Sequence, residues 1–211
     1  CALPILTLFS VGIDSFCNDF GLIDSRGRLF NQVRCYRDAR TERQKKAIYK
    51  RVSERELYNV TGSQVALFNT SMQMAAMAYE GEQFLLEHCD CALLIPDLLG
   101  YLLTGEKYTE YTLASVTQLL DYRTGTWSDE LMGKLGIRKG IFPGIVETGA
   151  ITGKICRENL TDTLKDVRVV AVAGHDTASA VAALPTDKER VGYISSGTWS
   201  IVGTEVTKPR L

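Results

Sequence analysis

Apolar residues along this chain fall into short runs of strand length and longer stretches with helical spacing. Leu6 to Asp14 predicts a strand, Phe20 to Asp24 its antiparallel partner, and Leu29 to Val33 a third short strand. The turn Asp24-Ser25-Arg26-Gly27-Arg28 joins the last two, so the start of the chain predicts a β-meander. A basic helix follows around Arg43 to Lys50. Ser53, with Glu56 three residues on, forms a capping box for a short helix to Tyr58, and Thr61-Gly62 ends it. Met72, Ala75, Ala76 and Tyr79 stand at i, i+3, i+4 and i+7, predicting an amphipathic helix over Ser71 to Tyr79 whose methionines pack in a core. Further helices are predicted from Phe84 to His88, from Leu93 to Leu103 with a break at Pro96, from Tyr111 to Leu120, and from Ser128 to Leu135 before Gly136. Lys139 to Pro143 is a connector. Val146 to Ile155 predicts an exposed β-segment turning at Gly149 and Gly153.

The most distinctive stretch runs from Val167 to Ser200. A buried strand through Val167, Val169, Val170 and Val172 meets Gly174-His175-Asp176-Thr177, followed by a small apolar helix from Ala178 to Leu184. After a polar turn, a second strand, Val191 to Ile194, ends in Ser195-Ser196-Gly197-Thr198-Trp199-Ser200. Each half sets a polar cluster at a strand end, which is where open α/β sheets place ligands. Asp176 would face that crevice, with Thr177 or Ser179 capping the helix. The hydroxyls and Gly197 of the second cluster let backbone N–H groups approach a phosphate. A carboxylate beside such a cluster suits phosphoryl transfer, the acid taking a hydroxyl proton while amides hold the phosphates. Spacing alone leaves two other readings open: Asp176 as a plain helix cap, and Gly197-Thr198 as a plain hairpin end. Trp199 is read as packing.

Composition narrows the class. A chain of 211 residues holds one large domain, or one plus part of another. Its hydrophobic content of 45% and charged content of 23% fit a soluble globular protein. A net charge of -1 leaves no electrostatic footprint for nucleic acid or a membrane surface. No apolar run reaches the roughly 18 residues of a membrane span. Cys1, Cys17, Cys35, Cys89, Cys91 and Cys156 are scattered, which predicts reduced thiols and a cytoplasmic setting rather than a disulfide framework. His88-Cys89-Asp90-Cys91 is too crowded for zinc and lacks a second ligand pair, so it reads as a helix end with buried thiols. No metal ligands are assigned. Asn59, Asn69 and Asn159 head sequons that matter only in a secreted protein. The first residue is Cys1, and the apolar opening has no basic n-region, so truncation is a simpler reading than a signal peptide.

The wording Gly174-His175-Asp176-Thr177-Ala178-Ser179-Ala180 followed by Ser195-Ser196-Gly197-Thr198-Trp199-Ser200 resembles the FGGY carbohydrate kinases, in particular their rhamnulokinase branch. Gly12-Ile13-Asp14-Ser15, Tyr36-Arg37-Asp38 with Arg40-Thr41, Phe68-Asn69-Thr70, Ile95-Pro96-Asp97-Leu98 and Leu103-Thr104-Gly105 carry the resemblance along most of the chain. It implies an α/β fold of the ribonuclease H-like (actin-like ATPase) kind, mostly the N-terminal domain of a two-domain sugar kinase. Residues 1–187 would be the sugar-binding domain, incomplete at its start, and residues 188–211 the beginning of the ATP-binding domain. Such kinases begin with an earlier glycine-rich phosphate hairpin and end with a large ATP-binding domain, so these 211 residues alone are expected to show no phosphoryl transfer.

The implied reaction is ATP plus a ketose giving ADP and the ketose 1-phosphate, with L-rhamnulose the favoured sugar and Mg2+ as the charge clamp. Asp176 would be the general base, and His175, Asp176, Thr177, Cys17, Tyr36, Asp38 and Asn69 would line the sugar site. Gly197 and Thr198 would contact the nucleotide phosphates. Asp14 is a weaker candidate for organising magnesium. Tyr36 and Asp38 read equally well as a solvated turn opening the basic helix. In the rhamnulokinase branch the stretch around Cys17 reads Thr-Trp-Gly-Val-Asp; here Phe16 replaces the tryptophan and Cys17 the glycine, which leaves other ketoses or polyols (fuculose, xylulose) open. A non-catalytic sugar-binding module is the alternative from a different class. A base together with a phosphate cradle argues against it. The oligomeric state is not legible.

Overall fold

The computed structural model describes residues 8–156, 164–186, 191–197 and 199–207. The core forms around α3 (Thr70–Tyr79), in which every residue from Thr70 to Met77 is buried. An apolar stripe on one face was expected. Instead Met72, Met74, Ala75, Ala76 and Met77 point all round the helix into one cluster, as a helix enclosed on every side requires. α1 (Arg40–Tyr49) packs along it, delivering Ile48, and α7 (Asp129–Leu135) delivers Leu131, Met132 and Leu135. The Ser53 and Gly62 signals act as read, while the Glu56 carboxylate pairs with Lys134 instead of closing the capping box. The Ser53 hydroxyl accepts from the Glu56 amide at 3.1 Å at the start of α2 (Glu54–Thr61), and Gly62 ends that helix at φ 64°. Gly136 likewise closes α7, at φ 75°.

The opening meander is not what forms. β2 (Phe20–Ile23) pairs antiparallel with β3 (Cys91–Leu94), Phe20 opposite Leu94 and Ile23 opposite Cys91. Toward the third predicted strand there is only the single bridge Ile23 to Leu29 among the described residues. All four residues of each strand are buried, so the pair is held by packing on both faces and shows no alternation in sequence. β3 also takes the first part of the helix expected from Leu93. α5 (Ile95–Thr104) starts only after it, with Pro96 in its first turn and Gly105 at its C-terminal cap.

β1 (Ser10–Gly12) pairs instead with β9 (Arg168–Val170), in parallel and far along the chain, and β9 pairs antiparallel with β8 (Ile151–Lys154). The sheet order is β1-β9-β8. Val167 and Val169 are buried with Ile155, while β8 leaves Ile151 and Lys154 exposed, as its sequence predicts. The short pair β4 (Thr109–Glu110) and β7 (Ile145–Val146) is parallel, and α6 (Tyr111–Val116) follows β4 directly. α6 stops short of the predicted Leu120, because Gln118 takes a positive φ of 61° and the chain turns into β5 (Leu120–Asp121), paired with β6 (Thr126–Trp127). The last elements are α8 (Asp176–Ala182) and the hairpin of β10 (Gly192–Ser196) with β11 (Ser200–Thr204). The domain boundary expected at 187/188, and Cys1 and Asn159, lie outside the described residues.

Candidate active site

β1 and β9 run side by side, so their C-terminal ends come together, as in other parallel pairs that carry a ligand crevice. Beyond them Ser15 and His175 form a further parallel bridge: the Ser15 amide donates to the Gly174 carbonyl at 3.0 Å. Here a cleft of about 630 Å³ opens, lined by Phe16, Cys17 and Asn18 from the first strand end and by His175, Asp176 and Thr177 from the second. Tyr36, Phe68 and Asn69 form a further wall, and Gly197 and Trp199 reach it from the β10–β11 hairpin.

Asp176 is the exposed charge in this cleft, with a side-chain exposure of 56%. It occupies the first position of α8 rather than the cap, which is His175 and makes no side-chain capping bond. Its Oδ1 accepts from the Thr177 amide at 2.6 Å and from the Thr177 hydroxyl at 3.2 Å. Ser179, the other expected cap, instead donates to the Ala173 carbonyl. His175 Nε2 lies 3.4 Å from Asp176 Oδ1. Burial holds the imidazole below its ordinary pKa, with Asp176 and Glu110 pulling the other way, so it is neutral at pH 7. A neutral imidazole beside a carboxylate can donate to or accept from a sugar hydroxyl.

Cys17 sits across from Asp176. Burial, helped by the Asp176 charge, pushes its thiol up to about 12, so it stays protonated and acts as shape and a weak donor. The loop behind it is fixed to α3. Asn18, at φ 78°, accepts on its side chain from the Thr70 amide and on its carbonyl from the Thr70 hydroxyl and Gln73 Nε2. Under this floor Arg40 donates to Gln73 Oε1 at 2.7 Å, and burial raises the pKa of Asp19.

The remaining candidates divide. Tyr36 lines the cleft, its hydroxyl accepting from Arg37 Nε at 3.1 Å. Asp38 does not line it; its carboxylate accepts from the Arg40 amide at 2.8 Å where α1 begins. Asn69 lines the cleft but is buried and engaged at both ends, accepting from the Ala66 amide and donating to the Val116 carbonyl. Gly197 lies at the hairpin tip with its amide donated to the Trp199 carbonyl at 2.9 Å; Thr198 lies outside the described residues. Asp14 is absent from the cleft lining. Among the described residues no group of three or more His, Cys, Asp or Glu is placed to hold a metal ion.

Sequence reasoning missed an aromatic wall. Phe16, Tyr36, Phe68 and Trp199 follow one another with ring centroids 6.4, 5.9 and 6.2 Å apart. Trp199 is 61% exposed, so it flanks the cleft instead of packing in a core. Each ring comes from a different segment, and no local periodicity links them. Tyr36, Phe68 and Trp199 each stand in a separate motif, and nothing in the sequence joins those motifs into one wall.

A carboxylate at the meeting point of two parallel strands, facing a cleft, places the site where open α/β sheets hold small-molecule ligands. Residues 6–183 match the family model for the FGGY family of carbohydrate kinases, N-terminal domain, and the chain belongs to that family. It is 38% identical over 200 residues to a rhamnulokinase of Lactiplantibacillus plantarum, covering 94% of this chain and 40% of the relative. A rhamnulokinase of Enterococcus faecalis is 41% identical over 198 residues, covering 93% and 39%. The chain therefore spans about two fifths of the length of these relatives. The structure of a carbohydrate kinase from Novosphingobium aromaticivorans shares the fold, with a TM-score of 0.81 at 20% identity over 97% of this chain and 45% of that one. No helix among the described residues is long and apolar enough to cross a membrane.

Proposed function

We propose that this chain is the sugar-binding part of an ATP-dependent carbohydrate kinase that converts a ketose, L-rhamnulose, to its 1-phosphate. The carrying observation is Asp176: a carboxylate held at a strand end by backbone bonds and exposed to a cleft of monosaccharide size. The ketose O1 hydroxyl gives its proton to Asp176 as the O1–phosphorus bond forms. The bond from the γ-phosphorus to the bridging oxygen breaks, and ADP leaves with that oxygen. His175 and Thr177 orient the sugar, and the ring of Tyr36 with its aromatic neighbours bounds the sugar's apolar face. Cys17 limits the space beside the base.

The phosphates would lie toward Gly197 and Thr198. The Gly197 amide is committed to the turn, so a phosphate there either displaces that bond or takes hydroxyl donors. Magnesium would supply a charge clamp on the nucleotide's phosphates, but the described residues offer no ligand set for it.

Cys17 favours a second reading, in which the chemistry is unchanged and the ketose differs. ATP consumption by the intact protein against a ketose panel, with Asp176→Asn alongside, decides between them. Activity peaking on L-rhamnulose and abolished in the variant upholds the first reading; a peak on another ketose moves the specificity to Cys17 and Phe16. Full activity in Asp176→Asn removes the base, and inactivity on every sugar leaves a binding module.

A further inference from the structure

Glu110 is almost wholly buried, at 1% exposure, where β4 passes into α6. Part of its work is ordinary capping: Oε2 accepts from the amides of Thr112 at 2.9 Å and Leu113 at 3.1 Å. Asp, Asn, Ser and Thr are the usual residues for that task, and none is as long as glutamate. The extra length is used. The same oxygen accepts from the Gly174 amide at 3.1 Å, and Oε1 accepts from the Thr148 hydroxyl at 2.5 Å. The Thr112 hydroxyl donates to Glu110 Oε2 and in turn accepts from the His175 amide at 3.3 Å. The next amide, that of Asp176, goes to the Ser15 carbonyl. Three consecutive amides entering α8 are therefore tied, two of them through Glu110 and Thr112. Gly174 permits this approach, because a Cβ there would lie 2.7 Å from Leu113 Cδ1.

We infer that Glu110 is a positioning residue for the phosphoryl-transfer site, aiming Asp176 and His175 through the Gly174 and His175 amides. The inference rests on the proposed role of Asp176. It predicts that reach matters separately from capping. Aspartate at this position still caps α6 but falls short of Gly174, whereas glutamine keeps both the reach and the acceptor oxygen.

The test compares Glu110→Asp, Glu110→Gln and Thr112→Val with wild type in the intact protein, by hydrogen exchange and ketose-kinase kinetics. In Glu110→Asp, exchange in the peptide over residues 172–178 quickens by about tenfold while that over α3 is unchanged. Its kcat falls by about ten- to a hundredfold with the ketose KM within about twofold. Glu110→Gln recovers both, and Thr112→Val shows a smaller loss of the same kind. Unchanged exchange or unchanged kcat in Glu110→Asp overturns the inference, as does equal loss in Glu110→Gln, which would mark a merely structural carboxylate. A wild-type protein that phosphorylates no ketose defeats the kinase reading; exchange in Glu110→Asp then still decides whether Glu110 holds the loop.

Discussion

The Asp176 amide donates to the Ser15 carbonyl at 2.9 Å, so the proposed base is joined by backbone to the end of a strand far earlier in the chain. The Ser15 side chain has no part in this, since among the described residues its hydroxyl bonds only the adjacent Phe16 carbonyl. Ser15→Ala is therefore expected to change stability by no more than about 0.5 kcal/mol. Ser15→Pro removes the amide that serves the Gly174 carbonyl and is expected to cost about 1–3 kcal/mol, with loss of turnover. Urea unfolding of both variants is the measurement. Equal stabilities would show that the strand ends are joined by something other than these bonds.

Thiol reactivity should follow burial. Cys35 and Cys156 are exposed, while burial raises the pKa of Cys89 and pushes Cys17 to about 12 and Cys91 to about 11. With iodoacetamide at pH 7.5, mass spectrometry should find Cys35 and Cys156 labelled long before Cys17, Cys89 and Cys91. Labelling of Cys17 at the rate of Cys35 would contradict its place beside Asp176.

Asp97 carries a linkage prediction. It is buried, and burial, together with the neighbouring Glu110, raises its pKa well above the usual carboxylate value, although the Glu110 amide donates to it. A folded-state pKa above the unfolded one gives stability that is fully present below the unfolded value and is lost as pH rises through the folded value. Asp97→Asn escapes that loss. Its melting temperature relative to wild type should rise between pH 4 and pH 8; a difference that is flat or falling with pH would refute the assignment.

Cys17→Gly should open space at the cleft without touching the base. Bulkier ketoses are expected to gain in kcat/KM relative to L-rhamnulose, by a factor on the order of ten for each methylene-sized group admitted. An unchanged ranking over a ketose panel would show that Cys17 does not limit the sugar.

Much of this architecture could be read locally. Ser53, Gly62, Gly136 and Pro96 act within one turn of themselves, so their sequence meaning survives folding. The position of Asp176 at a strand end was legible for the same reason. The pairing of β2 was not, because two buried apolar quartets carry no alternation that could identify their partners. Asp38 and Asn69 show another limit. Residue type gives a polar group's capacity, whereas its use is set by whichever donor lies nearest, here the Arg40 and Ala66 amides. Nothing local singles out Glu110, since its partners at Thr148 and Gly174 are distant in sequence.

The parallel register of Ser10 to Gly12 with Arg168 to Val170 also sets an order of events. The main cluster, from Phe20 to Phe142, draws on helices and strands that lie between those two segments. Closing so long a loop costs entropy that only an already compact interior can offset, and such distant pairings form slowly. The interior should condense first and sugar recognition should arise last. A nascent chain that has not yet reached Val170 would already hold a packed interior, yet have nothing to grip a sugar with.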